Sequence, residues 1–539
     1  MEVGGSNKFR ENIAFDLYMR AKENPERIGV IYEDGEHLTY GEWEARAAKC
    51  ASVLMNDLNL KKGDRVALYL QNSLDLVCLL FGCWKIGIVP VTLSVMYNSD
   101  ELASALEKTA PRAIFVHAKQ FGNVVKGIST LNLINTLQIA VLGTDNSQVY
   151  EETVLDFSEK IKTAQVFSEL TIPTREDEGT ILFTGGTTGL PKAVTVTHSG
   201  TRQSLKTLAR ASKRGIEPPY PLVDDGVSPN LLALPLFHSG GQQALLFALF
   251  VGRAIVLMER FRIDSLEHLV SKYKIDNLFL MPTMLYDIVH SKHRIPLDSV
   301  KGVLIAGQAL DPGLKQEFES SWNIPIFSNY GSTEIGHVAG WTSSDLKAGR
   351  WKPGPVGRIY DDVSIEIRDE SGMVLPDGAE GEIWVRASLS KGYIDETSTE
   401  GNQLSFDGWV GSGDVGYIEG DRLLYLVGRK RDMIKTGGFQ IWPQEIEQVL
   451  RTHQAVSDIA IVGMEDPRMG EIPKAFVVLS DEAGSDLAAL EQELISYCRQ
   501  KLAHYKCIRE VEFLNELPRS EAGKVQRGEL VARSTKNRP

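Results

Sequence analysis

Apolar residues recur along this chain at two spacings. Thr39-Tyr-Gly-Glu42 places a hydroxyl at a helix start and a carboxylate three residues on, and Trp43, Ala47, Ala51 and Leu54 follow at helical spacing. That is a capping box opening an amphipathic helix. Gly63-Asp64 then turns the chain into an apolar run at 65–70, which predicts a strand. Similar short runs stand at 113–116, 138–142, 180–183, 231–234, 254–258, 277–281 and 303–305, most of them separated by amphipathic stretches such as 100–108 and 266–274. This alternation predicts α/β sheets with helices packed on their faces. The longest apolar run, 76–97, is divided by Lys85, Gly87 and Pro90. It predicts a buried helix and a following strand, not a membrane span.

A second boundary is sharper. Arg429-Lys-Arg-Asp432 is a charged tetrapeptide after a strand pattern at 422–427, and a new α/β pattern follows, with strands at 459–464 and 475–479 and a helix at 486–503. At 539 residues the chain is too long for one ordinary core. The expected organisation is a large N-terminal multi-sheet α/β domain, 1–430, and a smaller mobile C-terminal α/β domain, 431–539.

Composition narrows the partners. The hydrophobic share of 43% and charged share of 24% are ordinary for a globular protein. Lys plus Arg less Asp plus Glu is 58 − 71 = −13, which argues against nucleic acid or an anionic membrane as main partner. The five cysteines are odd in number and scattered without a C-x-x-C pair or zinc spacing, so a reducing compartment is expected. Residues 1–10 lack the apolar core of a signal peptide, and the chain ends Asn537-Arg-Pro539 rather than in a peroxisomal address. A cytoplasmic protein is expected.

Candidate chemistry begins at Ile181-Leu-Phe-Thr-Gly-Gly-Thr-Thr-Gly-Leu-Pro-Lys192. An apolar strand ends there in small and hydroxylated residues that finish with one cation. Gly185, Gly186 and Gly189 let backbone N–H groups converge on an anion, while Thr184, Thr187, Thr188 and Lys192 add hydroxyls and a charge. This reads as a nucleotide-phosphate loop at the carboxyl end of a strand, where ligands of such sheets gather. Pro191 and Ala193 break the G-x-x-x-x-G-K-[ST] pattern of kinases and GTPases. Taken alone, the segment is equally a flexible surface turn.

Other segments decide between those readings. Tyr330-Gly-Ser-Thr-Glu334, Ser412-Gly-Asp414, Gly428-Arg-Lys-Arg-Asp-Met-Ile434, Gly437-Gly438 and Pro518-Arg-Ser-Glu-Ala-Gly-Lys524 follow the loop in the order found in the adenylate-forming superfamily. The chain resembles an acyl- or aryl-CoA synthetase of that superfamily, which also contains non-ribosomal-peptide adenylation domains and firefly luciferase. The resemblance covers most of the chain. It implies that MgATP and a carboxylic acid give an acyl-adenylate and pyrophosphate, and that the thiol of coenzyme A then displaces AMP.

The resemblance also implies roles. Lys524 would be the catalyst of adenylation, favouring charge at the α-phosphate, with Glu334 and His238 as further catalytic candidates. Glu334 and Thr187 would be Mg²⁺ ligands, oxygen donors suiting a hard cation. Asn329, Tyr330, Gly331, Ser332 and Thr333 would bind nucleotide, Tyr330 by stacking on adenine, with Gly307, Gln308 and Ala309 lining the base from the other side. Asp414 and Arg429 would hold the ribose, and Gly437 and Gly438 the thiol side. Each has a plainer alternative: Tyr330 a core aromatic, Asp414 a turn residue, Lys524 a solvated charge, His238 a structural histidine.

Departures from the family pattern bear on substrate. Phe237 and His238 in Leu234-Pro-Leu-Phe-His-Ser-Gly-Gly241 stand near where amino-acid-activating relatives carry an Asp. The expected acid is therefore aliphatic or aromatic without an α-ammonium. Gln308 replaces a common Gly or Ala and is expected to narrow or polarise the acyl pocket, and Trp442 replaces a common Tyr beside the thiol-side loop. The alternative acceptor is a carrier-protein thiol, an amine or another nucleophile. Since only 525–539 follow Lys524, a carrier would be a separate chain. A catalytically idle nucleotide-binding protein on the same fold is the remaining alternative.

Overall fold

The computed structural model describes residues 9–129, 131, 137–143, 154–184, 192–212, 227–307, 310–386, 390–394, 408–437, 439–480, 483–520 and 523–536. Within them, three sheets organise the molecule. One runs in the order Ser390–Tyr393, Lys192–Thr197, Glu178–Thr184, Val89–Thr92, Arg65–Tyr69, Ala113–His117, Gln138–Leu142, Val154–Asp156. It is parallel except at the first two pairings, where Lys192–Thr197 runs antiparallel to its neighbours. The fold is mixed α/β, as the alternation of runs predicts.

A longer sheet changes character along its width. Ile28–Tyr32, Ile255–Leu257, Asn230–Leu232, Asn277–Leu280, Gly302–Ile305 and Ile326–Ser332 are parallel neighbours. Beyond Ile326–Ser332 every pairing is antiparallel, through Gly336–Gly340, Gly357–Ile359, Leu423–Arg429, Trp409–Glu419, Gly381–Arg386 and Ile365–Arg368. Parallel strands need helical crossovers, whereas antiparallel ones close with short turns. The change therefore coincides with the end of helix-rich sequence after Pro312–Trp322.

Helices fill the space between the two sheets. Tyr40–Asn56 opens on the expected capping box: Thr39 Oγ1 accepts from the Glu42 N–H at 3.2 Å, and the Glu42 carboxylate accepts from the Thr39 N–H at 2.8 Å. Its Trp43 meets Phe81 of Leu74–Ile86 edge-on, 4.9 Å between ring centroids, and Phe81 meets Trp84 at 5.1 Å. Truncating such a buried ring to alanine typically costs about 3–5 kcal/mol. Lys85 does not interrupt this helix. It is buried within it and paired with Glu44, so the polar residue that looked like a break is a compensated core charge. The helix ends one residue later, at Ile86, and Gly87 with φ +73° caps it.

The C-terminal domain has a sheet of its own: Phe439–Ile441, Ile434–Thr436, Gly470–Leu479 and Val456–Asp466 in order, with Glu510–Leu514 parallel to Gly470–Leu479. The hairpin Val456–Asp466/Gly470–Leu479 outruns both apolar runs seen in sequence, because its ends are polar. Among the described residues, the clusters beneath this sheet draw only on Ile434 and later positions. Lys430–Asp432 forms a short 3-10 turn between the sheets, where the charged tetrapeptide was read. All five cysteines are buried free thiols, and no described helix is long and apolar enough to cross a membrane.

Candidate active site

The expected nucleotide residues converge where the long sheet turns antiparallel. Tyr330 lies on Ile326–Ser332, Asp414 on Trp409–Glu419 and Arg429 at the end of Leu423–Arg429. Asp414 and Arg429 are register partners across their strands. The Tyr330 hydroxyl donates to Asp414 Oδ2 at 2.8 Å, and Arg429 Nε stands 3.1 Å from Asp414 Oδ1. Burial, then the Asp414 charge, pushes the Tyr330 phenol well above its ordinary range, so it remains a donor. Asp414 is thus a strand residue fixed from two sides, not a turn residue.

Gly331 follows Tyr330 at a register shift. A Cβ there would lie 2.0 Å from the Gly336 carbonyl oxygen, so only glycine lets the two strands approach. Beyond it, Ser332 Oγ accepts from the Glu334 N–H at 3.3 Å, and Thr333 stands between them in the turn that leads to Gly336–Gly340. Asn329, on the same strand, meets His337 Nδ1 with its side-chain amide, Nδ2 at 3.0 Å and Oδ1 at 3.3 Å.

Lys524 reaches this centre from the C-terminal domain. Its loop is closed by Gly523 N–H to the Ser520 carbonyl at 2.7 Å, Ser520 N–H to the Lys524 carbonyl at 2.8 Å, and Lys524 N–H to Ser520 Oγ at 3.2 Å. Gly523, at φ +68°, lies against Thr283 of Pro282–Val289. The ammonium keeps solvent contact by area but is enclosed by protein on most sides. That loss of water, reinforced by Arg429 and opposed by Glu334, lowers its pKa to about 8, with Arg431 as a weaker reinforcing influence and Asp414 as a weaker opposing one. A lysine in such a setting departs from the solvated surface charge expected of an isolated loop residue.

His238 caps the start of Ser239–Phe250 without a capping side-chain bond. Burial, and next the charge of Lys524, lower its pKa to about 4, so it is neutral at neutral pH. Its Nε2 is buried without a partner, as are Gln243 Oε1 one turn along the same helix and His337 Nε2. Burial holds His337 neutral too, near 4. Asn329 occupies its Nδ1 and leaves Nε2 open. Buried polar atoms usually have partners, and His238 Nε2 and Gln243 Oε1 stand open near the start of one helix. Sequence reasoning named His238 and Asn329 but missed Gln243 and His337. Nothing local marks those two, since their burial arises from distant elements.

Other expected residues are placed in part. Thr184 ends Glu178–Thr184 and Lys192 begins the antiparallel Lys192–Thr197, the two paired across the hairpin, so the loop joins strand to strand rather than strand to helix. Gly185, Gly186, Thr187, Thr188 and Gly189 lie outside the described residues, as do Gln308, Ala309 and Gly438. Gly307 has φ +89°, and Gly437, at φ +54°, donates its N–H to the Met469 carbonyl at 2.7 Å. Among the described residues no group of three His, Cys, Asp or Glu forms a metal cage. Mg²⁺ is usually held by one or two carboxylates plus phosphate oxygens, and Glu334 beside the nucleotide residues fits that donor set.

Comparison with known proteins agrees with this layout. The family pattern of the AMP-binding enzyme matches residues 17–394, and that of the AMP-binding enzyme C-terminal domain matches residues 445–524. The 4-coumarate-CoA ligase 1 of Narcissus pseudonarcissus is 30% identical over 505 residues, 92% of this chain and 88% of its own. The 2-succinylbenzoate–CoA ligase of Bacillus subtilis (strain 168) is 29% identical over 520 residues, 95% and 96% of the two chains. Among solved structures, o-succinylbenzoate CoA synthetase from Bacillus subtilis in complex with its acyl-adenylate intermediate superposes with a TM-score of 0.79 at 27% identity, covering 96% of this chain and 97% of that one.

Proposed function

The chain belongs to the family of AMP-binding enzymes, and from that premise we propose how it works as an AMP-forming acid–thiol ligase. A carboxylate oxygen of the acid attacks the α-phosphorus of ATP and pyrophosphate leaves, giving an acyl-adenylate. The sulfur of coenzyme A then attacks the acyl carbon and AMP leaves, giving acyl-CoA.

Each residue has a physical task in the first step. Lys524 places its ammonium where charge builds between the carboxylate and the α-phosphate, a contribution worth most where water is partly excluded. Asp414 accepts from the ribose hydroxyls, and Arg429 and Tyr330 hold that carboxylate in place. Thr184, Thr187, Thr188 and Lys192 hold the departing phosphates. Glu334, with Thr187, would hold Mg²⁺, which neutralises phosphate charge when bound. Neutral His238 borders the acid carboxylate without adding charge. The segment Leu234-Pro-Leu-Phe-His-Ser-Gly-Gly-Gln-Gln243 offers no carboxylate to pair with an ammonium, which supports an acid without an α-amino group.

The observation that carries this reading is the meeting of Lys524 with Asp414, Arg429, Glu334 and His238 across two domains. Because Gly437 serves the thiol side from the same domain as Lys524, residues 431–539 would turn about Arg431 between the steps. Arg431→Pro should then keep the first half-reaction and lose the second. The enzyme is placed in the cytoplasm, and cell fractionation checks this.

The deciding experiment is a panel of aliphatic and aromatic acids assayed for pyrophosphate release with and without CoA. Acid-dependent release followed by acyl-CoA supports the proposal, and Lys524→Ala should abolish the release. Release with acid but no thioester moves the acceptor to a carrier-protein thiol or an amine. No release with any acid would leave an idle nucleotide-binding protein.

A further inference from the structure

The lysine loop is gripped by a side chain that never reaches the reacting atoms. Arg519 forms an isolated bridge with Val525 across the loop. Its Nη1 donates to the Gly523 carbonyl at 2.7 Å, the peptide directly before Lys524, and its Nη2 donates to Asp458 Oδ2 at 2.5 Å. One guanidinium thus ties the loop to the strand Val456–Asp466. Two parallel donors in a rigid fork suit this double grip, and a lysine has no such fork.

The line of charges continues to the other domain. Asp458 Oδ1 stands 3.5 Å from Arg451 Nη2, and Arg451 Nη1 stands 3.8 Å from Asp311 Oδ2. Asp311 is the N-cap of Pro312–Trp322, held there because Oδ1 accepts from the Leu314 N–H at 2.8 Å. That helix packs against Pro282–Val289, which carries the Thr283 that receives Gly523. The loop therefore meets the N-terminal domain at two linked places: directly at Thr283, and through Arg519, Asp458 and Arg451 at Asp311.

We propose that Arg519 is a positioning residue for adenylation, presenting Lys524 through the Gly523 carbonyl, and that the Asp311–Arg451–Asp458 line couples this grip to the docking of the C-terminal domain. The inference rests on the role given to Lys524 above. Half-exposed ion pairs contribute little singly, so the line acts by geometry and not by holding the domains together. A misplaced ammonium lowers the rate of the step it serves without weakening ground-state binding. The expected signature is a loss in kcat of the first half-reaction alone.

Arg519→Met keeps the side chain's length and removes both donors. It should lower kcat for acid-dependent pyrophosphate release about ten- to a hundredfold, with KM for ATP and acid unchanged and thioester formation from supplied acyl-adenylate intact. Arg519→Lys should recover part of the loss. Asp311→Asn keeps the cap and removes the charge, and Arg451→Met removes the partner; each should slow adenylation, and the two losses combined should be less than additive. Equal losses in both half-reactions, or normal adenylation by Arg519→Met, would overturn the positioning role, and additive losses for Asp311→Asn and Arg451→Met would overturn the link to Asp311. If Lys524→Ala also adenylates normally, the reading of the site fails rather than this inference alone.

Discussion

Gly523 sets how closely the lysine loop can seat, and Gly523→Ala separates two costs. The first is conformational: φ is +68°, where an L side chain costs about 1–2 kcal/mol. The second is overlap, since the added Cβ would lie 2.3 Å from Thr283 Cγ2 and 2.7 Å from Oγ1. Overpacking of this kind typically costs about 1–3 kcal/mol, or roughly 5- to 160-fold in rate. The overlap exists only while the loop is docked on Thr283. Gly523→Ala should therefore slow adenylation by both amounts, while thioester formation from supplied acyl-adenylate feels at most the conformational part. In a Thr283→Ala background the nearest surviving atom is Thr283 Cβ at 3.0 Å, so the double variant should regain the overlap part. Half-reactions measured for the four proteins of the cycle decide the matter. Additive losses, or equal losses in both half-reactions, would refute the seating of Gly523 on Thr283 as a requirement of the first step.

Three further outcomes follow from the site. Because Lys524 is lowered to about 8 from an ordinary 10.5, and its charged form is the active one, kcat/KM for adenylation should fall as pH rises through 8, by about tenfold near pH 9. A profile flat to pH 10 would contradict this. Asp414→Ala should raise KM for ATP more than KM for acid, since ribose contacts serve ground and transition states alike, and a changed acid preference with ATP affinity held would move Asp414 to the acyl side. His337→Ala should reorder kcat/KM across an acid panel against acids bearing a hydrogen-bonding group, by up to roughly a hundredfold. A uniform loss would leave His337 structural.

Much of the parallel architecture was legible because buried strands and one-faced helices write themselves as runs and spacings. Thr39 to Leu54 gave the helix and its cap together, and Asn277–Leu280 and Gly302–Ile305 fell on their apolar runs. The antiparallel half was largely missed, although Glu382-Ile-Trp-Val-Arg386 carries the alternation of a one-faced strand. Lys85 misled because pairing with Glu44, 41 residues away, is invisible along the chain. Motif residues such as Tyr330, Asp414 and Lys524 were found through resemblance, since each alone has a bland reading. Arg519 and His337 escaped for a physical reason. Their significance lies in partners brought close by folding, such as Asp458 61 residues from Arg519.

The self-contained core beyond Ile434 bears on how such a chain can change over time. Among the described residues, the open polar atoms of His238, Gln243 and His337 all lie before that core, while the lysine loop and Gly437 lie within or beside it. Mutations that retune the choice of acid therefore need not pass through the packing of the smaller domain. Exchange of the smaller domain, in turn, replaces Lys524 but none of these three side chains, provided Thr283 and Asp311 still find Gly523 and Arg451. On the proposed roles, substrate choice and transfer chemistry are separable parts, joined by a seam that includes Thr283 with Gly523 and Asp311 with Arg451.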